Sequence, residues 1–312
     1  MRRLSMLLPV FILQQFYINT SPAQTGANNS LLWEITGNRL ANPSYLYGTI
    51  HMICKKDFFI SDKLKQKFAS ANKLYLEVDM DDPSVNMKML QLSMLKGKKL
   101  SDFFSDSDYS KLNDFFRDTI KMPLTFLGTM KPFVLFSIIT LKTLPCQDQK
   151  SYEMTFVEMA KEQSKEVLGL ETIEDQMKIF DDMPDSTQAQ MVMRYVNDFN
   201  KQKSDFAKMV EVYKKQNLDS LYEQISTSPD IEGSEDALLF DRNARWIPVM
   251  EDAMKEQSVF FAVGAGHLAG VKGVINLLRQ QGYTVAPLQA SGAGGRLADQ
   301  PLLFSPRDLS AH

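Results

Sequence analysis

The chain has 312 residues, of which 44% are hydrophobic and 23% are charged, and its formal net charge at pH 7 is −3. A chain of this length and composition can bury a large core, so neither a metal nor a disulfide is needed merely to hold it together. Because the charge is slightly negative, the composition argues against nucleic acid or an anionic membrane surface as a partner.

The first residues have the pattern of a secretory signal peptide. Two arginines precede a mostly apolar stretch from Leu4 to Ile18, and Ser21 and Ala23 stand at the −3 and −1 positions of a cleavage site. The pattern predicts removal of residues 1–23 and a periplasmic or secreted protein. Because a membrane span needs about 20 apolar residues, no span is expected after signal removal. A buried N-terminal helix is the alternative interpretation.

The next segment predicts a strand–helix–strand unit. Two short strands are expected at Trp33 to Thr36 and at Ser44 to Ile50, with a polar turn between them. Ser61 is the expected start of a helix, and Leu74 to Val78 reads as a further strand. This order favours a parallel pair of strands joined by a right-handed crossover.

The middle of the chain, about residues 83–257, is predicted to be mainly helical. Met and Leu recur at three- and four-residue steps through Met87 and Met94, and Phe133 to Leu144 is strongly apolar. We interpret this Met and Phe content as core packing. One short strand is expected at Val167 to Leu170.

The C-terminal part returns to an α/β pattern. Val259 to Val263 predicts a buried strand, Ala269 to Gln280 a helix and Tyr283 to Leu288 a last strand, whereas residues 291–312 predict a loose tail. The sequence therefore predicts an α/β (α+β) fold in one domain, residues 24–290. Its central mixed, partly parallel sheet would come from the N- and C-terminal segments, with a large helical insertion between them.

Two cysteines are present, Cys54 and Cys146. In an exported protein such a pair is expected to form a disulfide. Two buried free thiols are the alternative. Because Cys54 lies three residues after His51, a metal-ligand role is a third interpretation.

Both histidines in the body of the chain lie three residues after a glycine. One motif runs from Gly48 to His51 and the other from Gly264 to His267, and each follows an apolar strand. Ligands of open α/β sheets gather at the carboxyl ends of the strands, and glycine there leaves room for a ligand. Two imidazoles at such an edge can hold one metal ion or serve as acid and base. Two structural histidines bonded to the backbone are the alternative.

Three charged residues are further candidates. Glu77 lies in an apolar strand, where a carboxylate is unfavourable unless paired or functional, so it either completes a His–His–Glu set or forms a salt bridge to an arginine. Glu171 stands at another strand exit, as a ligand or as a charge near the start of the next helix. An inward Arg242 can clamp a carboxylate or stabilise an oxyanion, whereas on a helix surface it would pair with Asp241.

The order of these motifs resembles the TraB/GumN family, which is grouped with the TIKI metalloproteases. The resemblance covers about Leu31 to Leu288 and rests on Tyr-Leu-Tyr-Gly-Thr-Ile-His, Leu-Tyr-Leu-Glu-Val-Asp, Gly-Leu-Glu-Thr, Arg-Asn and Val-Gly-Ala-Gly-His-Leu-Ala-Gly. It implies a divalent-metal-dependent hydrolase site that uses two histidines, a glutamate and an arginine.

Carried onto this sequence, the resemblance implies His51 and His267 as metal ligands and Glu77 as a ligand or general base. Arg242 would be an oxyanion or substrate clamp, and Glu171 is a further candidate. Imidazole ligands favour Mn²⁺, Co²⁺ or Zn²⁺ over Mg²⁺.

The resulting hypothesis is an exported metal-dependent hydrolase that acts on a peptide or a small molecule. Two alternatives stay open. One is a metal-free enzyme in which a histidine is the general base for ester or amide hydrolysis. The other is a protein that binds a peptide or another ligand without turning it over.

Overall fold

The structure, a computed structural model, describes residues 29–229 and 231–289. The predicted signal peptide, residues 1–23, and the predicted tail, residues 291–312, lie outside the described residues. Within the described ranges, no helix combines the length and the apolar character that crossing a membrane requires.

The central element is a mixed sheet. In chain order, the strands of the described residues are β1 (Leu32–Gly37), β2 (Ser44–Thr49), β3 (Met52–Cys54), β4 (Lys73–Leu76), β5 (Gln149–Ser151), β6 (Glu166–Gly169), β7 (Val259–Gly264) and β8 (Tyr283–Pro287). Six of them form the sheet in the order β6-β4-β7-β2-β1-β8. Strands β6, β4, β7 and β2 are parallel, and β1 runs antiparallel to its neighbours β2 and β8. The predicted mixed, partly parallel sheet is confirmed.

Helices surround this sheet and fill the middle of the chain, as predicted. Those of the described residues are α1 (Asp62–Ser70), α2 (Pro83–Leu92), α3 (Asp106–Phe115), α4 (Pro132–Lys142), α5 (Tyr152–Glu162), α6 (Ile173–Asp182), α7 (Asp185–Asn197), α8 (Phe199–Lys214), α9 (Leu218–Ser226), α10 (Asp241–Glu256) and α11 (Val274–Gln280). Two π-helical segments occur at Phe116–Ile120 and Asp236–Phe240, and short 3₁₀ turns lie at Lys55–Asp57, Leu100–Phe103, Leu124–Leu127 and Ala265–His267.

Side-chain caps fix where two of these helices begin. The Ser61 hydroxyl accepts the Leu64 backbone N–H at 3.1 Å, so α1 starts where the sequence predicts. Thr172 and Asp175 form a capping box at the start of α6. This box places Glu171 immediately before the helix.

Strand β7 changes the predicted pairing of the N-terminal strands. Strands β2 and β4 are parallel but are not neighbours, because β7 lies between them. Five of the six β7 residues are buried, which is typical of a central parallel strand covered on both faces. The predicted parallel direction of β2 and β4 is therefore confirmed, although β7 separates the two strands.

Two short strands occur within the mainly helical middle of the chain. Strand β6 pairs with β4 at the edge of the main sheet, and β5, which the sequence did not indicate, pairs antiparallel with β3. This small two-stranded sheet links the residues after His51 to the start of α5. Beside it, Cys54 and Cys146 form the predicted disulfide, with Cα atoms 5.9 Å apart.

Three local expectations are wrong. Helix α11 begins at Val274 rather than at Ala269, because the chain first makes a turn in which Gly270 has a φ of +86°. Strand β4 ends at Leu76 rather than at Val78. Core packing of Met87 and Met94 is also wrong, since both are exposed and α2 packs through Val85 against α6.

Candidate active site

The two Gly-x-x-His motifs leave the sheet side by side. Strands β2 and β7 are parallel neighbours, with Thr49 opposite Gly264, so both chains exit at the same edge. A Cβ on Gly48 would lie 3.2 Å from the Cα of Ala265. The first glycine therefore allows the turn of the second motif to approach closely.

Gly264 lies at the centre of three candidate side chains. A Cβ at this position would be 3.2 Å from Glu77 Oε1, 3.5 Å from His267 Cδ2 and 3.6 Å from His51 Nε2. Glu77 Oε1 accepts the Gly264 backbone N–H at 2.8 Å and lies 3.9 Å from His267 Nε2. The structure thus brings His51, His267 and Glu77 together around the space that a side chain on Gly264 would fill.

Glu77 follows β4 directly instead of lying inside the strand as expected. Its Oε2 accepts hydrogen bonds from Arg242 Nη2 at 2.6 Å and from Gln176 Nε2 at 3.2 Å. Burial would raise the pKa of Glu77, but the surrounding imidazoles, Arg242 and the Gly264 N–H keep this pKa well below its usual range. Glu77 is therefore a carboxylate, available to a cation or a proton donor.

Arg242 joins two buried carboxylates. It donates from Nε to Glu171 Oε1 at 2.9 Å and from Nη2 to both Glu171 Oε1 and Glu77 Oε2. Its side chain is 9% accessible and that of Glu171 is 3%. A surface pair of Arg242 with Asp241 is thus excluded. Glu171 contacts Arg242 and Gln176, so it lies behind the guanidinium rather than at Gly264.

His267 is held by a hydrogen bond on each ring nitrogen. Its Nδ1 lies 2.7 Å from Asn243 Oδ1, and its Nε2 lies 3.1 Å from Arg242 Nη1. Because the Asn243 amide nitrogen donates to Lys272 O at 2.9 Å, its oxygen must accept from Nδ1–H. Nε2 consequently carries the lone pair that accepts from Arg242. Burial lowers the pKa of His267 to about 3, so this imidazole is neutral.

His51 is the accessible member of the group, with 68% of its side chain exposed. Its Nδ1 lies 2.9 Å from Glu153 Oε1, which also accepts the Thr49 hydroxyl at 2.6 Å, and Ser151 donates to Glu153 Oε2 at 3.0 Å. Desolvation acts to lower the pKa of His51, but the hydrogen bond and charge of Glu153 outweigh it and raise this pKa to about 9. Nε2 is the nitrogen that faces Gly264.

Sequence reasoning missed Glu153 and Asn243, the two partners that orient the imidazoles. Glu153 lies in the first turn of α5, where glutamate is common for helix-dipole reasons alone, and it is 102 residues from His51. Asn243 follows Arg242 directly. The position of Asn243 next to Arg242 was the available signal, because neighbouring side chains on a helix can bond to different residues of the same site.

The donors around Gly264 suit a divalent transition metal by type. Both imidazoles hold Nδ1 against a side-chain oxygen and turn Nε2 towards the site, which is how histidine ligands of metals are usually oriented, and Glu77 adds a carboxylate oxygen. However, Arg242 bonds to His267 Nε2. Within residues 29–229 and 231–289, no three His, Cys, Asp or Glu side chains stand in a ready metal-binding geometry. Binding an ion would therefore require Arg242 to move away from His267.

These features define an α/β protein with a two-histidine, one-carboxylate site at the edge of its parallel strands. The chain belongs to the TraB/PrgY/gumN family, whose family model matches residues 31–287. The resemblance inferred from the motifs is thereby confirmed.

Two relatives are 24% identical to this chain. One is Metalloprotease TIKI2 of Danio rerio, in an alignment of 321 positions that covers 82% of this chain and 60% of the relative. The other is Metalloprotease TIKI1 of Danio rerio, in an alignment that covers 82% of this chain and 63% of that relative. The chain thus spans about three fifths of the length of these relatives. No solved structure gives a significant match.

Proposed function

We propose that this protein is an exported, divalent-metal-dependent hydrolase and that its substrates are peptides. The observation that carries the proposal is the convergence of His51 Nε2, His267 and Glu77 Oε1 around Gly264. The similarity to proteins named metalloproteases supports it. The Cys54–Cys146 disulfide supports export, because disulfides persist in oxidising compartments.

His51, His267 and Glu77 would hold the ion, and their imidazoles favour Mn²⁺, Co²⁺ or Zn²⁺. When bound, such an ion polarises a carbonyl group and lowers the pKa of water. Glu77 and Glu171 carry two formal negative charges. Arg242 bonds to both carboxylates, and Arg245 lies 4.0 Å from Glu171. A bound ion would take the place of the proton that the raised pKa of His51 favours.

The protein's own side chains would orient the reacting groups. Glu153 and Asn243 hold the imidazoles with Nε2 towards the site. Once withdrawn from His267, Arg242 Nη1 would be free to donate to a substrate oxygen. Glu171 would still accept from Arg242 Nε and limit how far the guanidinium moves.

Metal reconstitution tests this proposal. The purified protein is treated with chelator, supplied separately with Mn²⁺, Co²⁺ or Zn²⁺, and assayed on a peptide library. We expect turnover only with metal, and we expect His51→Ala and His267→Ala to lose both metal binding and turnover. Glu153→Gln should weaken metal affinity about 10–100-fold. The matched control is Glu158→Gln, on the exposed face of the same helix. Full activity after complete metal removal would overturn the proposal.

One observation favours a second candidate, a metal-free hydrolase in which His51 is the general base, with activity that rises as the pH approaches the His51 pKa of about 9. Arg242 already satisfies His267 Nε2 and Glu77 without an ion, and Glu153 orients His51 as a carboxylate orients the histidine of a hydrolase triad. In that case His51→Ala abolishes turnover but chelation does not. Binding of peptides without turnover under any condition would instead indicate a non-catalytic binding protein.

A further inference from the structure

A cavity of about 480 Å³ opens beside the candidate active site. Its lining includes His51, Gly264 and His267, and residues of three helices of the middle of the chain, α4, α8 and α9. The volume is in the range of typical ligand pockets, roughly 300–1,000 Å³. Because the same residues belong to the cavity and to the site, a molecule held in the cavity lies against the imidazoles.

The walls of the cavity are apolar. They include Phe136 and Leu141 of α4, Met209 of α8 and Ile225 of α9. No Asp, Glu, Lys or Arg belongs to the lining formed by the described residues. Away from His51, a charged group in this cavity would lose hydration without gaining a partner, whereas an apolar group would gain by leaving water.

The hydroxyl groups of the lining do not change this character. Thr49 donates to Glu153 at 2.6 Å, and Ser137 donates to the Phe133 carbonyl at 2.9 Å. The Thr140 hydroxyl is buried and has no hydrogen-bond partner. The Tyr213 hydroxyl donates to the Gly48 carbonyl at 3.0 Å. Three of the four hydroxyls are therefore already engaged, which leaves little to attract a charged ligand.

We infer that this cavity is the side-chain pocket of the peptide substrate. It accepts a large apolar residue, such as Phe, Leu or Met, next to the amide that faces His51 and His267, and it excludes Asp, Glu and Lys at that position. Cleavage of this amide rests on the proposed function, but selective binding of apolar peptides does not. Met209 is a specificity-determining residue, since it lies on the cavity wall and takes part in none of the site hydrogen bonds described above.

Peptide binding without turnover tests the pocket first. The chelator-treated full chain is titrated with acetylated, amidated pentapeptides Gly-Ala-Xaa-Ala-Gly, in which Xaa is Phe, Leu, Asp or Lys. We expect the Phe and Leu peptides to bind at least about 10-fold more tightly than the Asp and Lys peptides, a discrimination within reach of an apolar pocket. Equal binding of all four peptides would overturn the inference. A protein that binds the fatty acid octanoate but shows no preference among the peptides would overturn it as well.

Charge placed on the wall should invert the preference. Met209→Lys is expected to weaken binding of the Phe peptide at least about 10-fold and to strengthen binding of the Asp peptide, whereas the matched control Met209→Leu should bind like wild type. If Met209→Lys does not fold, Leu141→Lys provides the same test, because Leu141 is 42% exposed. A folded Lys variant with unchanged preference would contradict the assignment. Selective binding of the Phe peptide without cleavage by any metal form would overturn the proposed function and leave the pocket assignment standing.

Discussion

At the scale of single residues, the site depends on the absence of a side chain at Gly264. The three groups nearest its missing side chain are Glu77, His267 and His51, at 3.2, 3.5 and 3.6 Å from the position of a Cβ. Their hydrogen-bond partners hold them in place without filling that space. A single added methyl group should therefore act directly on the site and only weakly on the fold.

Gly264→Ala is the corresponding prediction. The φ of Gly264 is −52°, which alanine adopts without strain, so the melting temperature should change little. The methyl group pushes Glu77 Oε1 away by a few tenths of an ångström, and we expect metal affinity and kcat/KM to fall, the latter by up to about 100-fold. Gly128→Ala is the control, because its φ is −60° and its nearest neighbour is a carbonyl oxygen at 3.4 Å. Wild-type metal affinity and turnover in Gly264→Ala would contradict the placement of the site.

His267 should make the stability of the metal-free protein depend on pH. Its pKa is about 3 in the folded protein and about 6.5 in an unfolded chain. Above pH 6.5 the imidazole is neutral in both states and adds no pH dependence. As pH falls below 6.5, the unfolded chain binds a proton that the folded protein does not bind until about pH 3, so the free energy of unfolding decreases.

Urea unfolding of the chelated protein at pH 7.5 and pH 5.0 measures this effect. Wild type should lose more stability between the two pH values than His267→Gln, which has no titratable group at position 267. His51 is present in both proteins. At pH 5.0 the carboxylates with lowered pKa values, Glu77 and Glu153, remain ionised, so they do not obscure the comparison. Equal losses in the two proteins would show that His267 is not buried in its neutral form.

At the scale of elements, the small β3–β5 sheet and the disulfide position the segment that carries His51. Strand β3 begins one residue after His51 and pairs with β5, which leads into α5 and Glu153. Cys54, at the end of β3, is joined to Cys146, which follows α4. The same connections therefore fix the His51–Glu153 pair and one wall of the cavity.

Replacing both cysteines with alanine should lower the free energy of unfolding by about 2–4 kcal/mol, since the disulfide closes a long loop. The sequence separation of the two cysteines is 92 residues. Affinity for the Phe pentapeptide should fall as well, because the end of α4 is no longer anchored beside the cavity. Urea unfolding and peptide titration measure the two effects. An unchanged unfolding midpoint would show that the disulfide does not constrain the chain.

Periodicity predicted the elements that carry a long apolar pattern and missed those that do not. The start of helix α1 and nearly the whole of strand β7 were predicted, because capping and burial leave local signals. Strand β5 was missed, since its three residues are polar and its pairing with β3 is a long-range contact. The exposed methionines of α2 show the limit of the pattern. Helical spacing predicts which residues share a face of the helix, but not whether another element packs against that face.

At the scale of the whole molecule, the position of β7 explains why the site could be predicted only in part. The Gly-x-x-His motifs pointed to His51 and His267, but their adjacency depends on β7 inserting between β2 and β4. Glu153 left no comparable motif, and the Arg-Asn motif that contains Asn243 did not indicate that Asn243 orients His267. The pairing of Arg242 with Glu77 and Glu171 likewise follows from the folded arrangement, since these three residues come from distant parts of the chain.

The most direct test of the central claim is anomalous X-ray diffraction from crystals of the full chain grown with Zn²⁺. We predict one strong zinc peak beside Gly264, with His51 Nε2 and His267 Nε2 at about 2.0–2.1 Å and a Glu77 oxygen at about 2.0–2.2 Å. Arg242 should have withdrawn from His267 in that structure. A zinc-containing crystal with no peak at this position, and with Arg242 still bonded to His267 Nε2, would contradict a shared metal site.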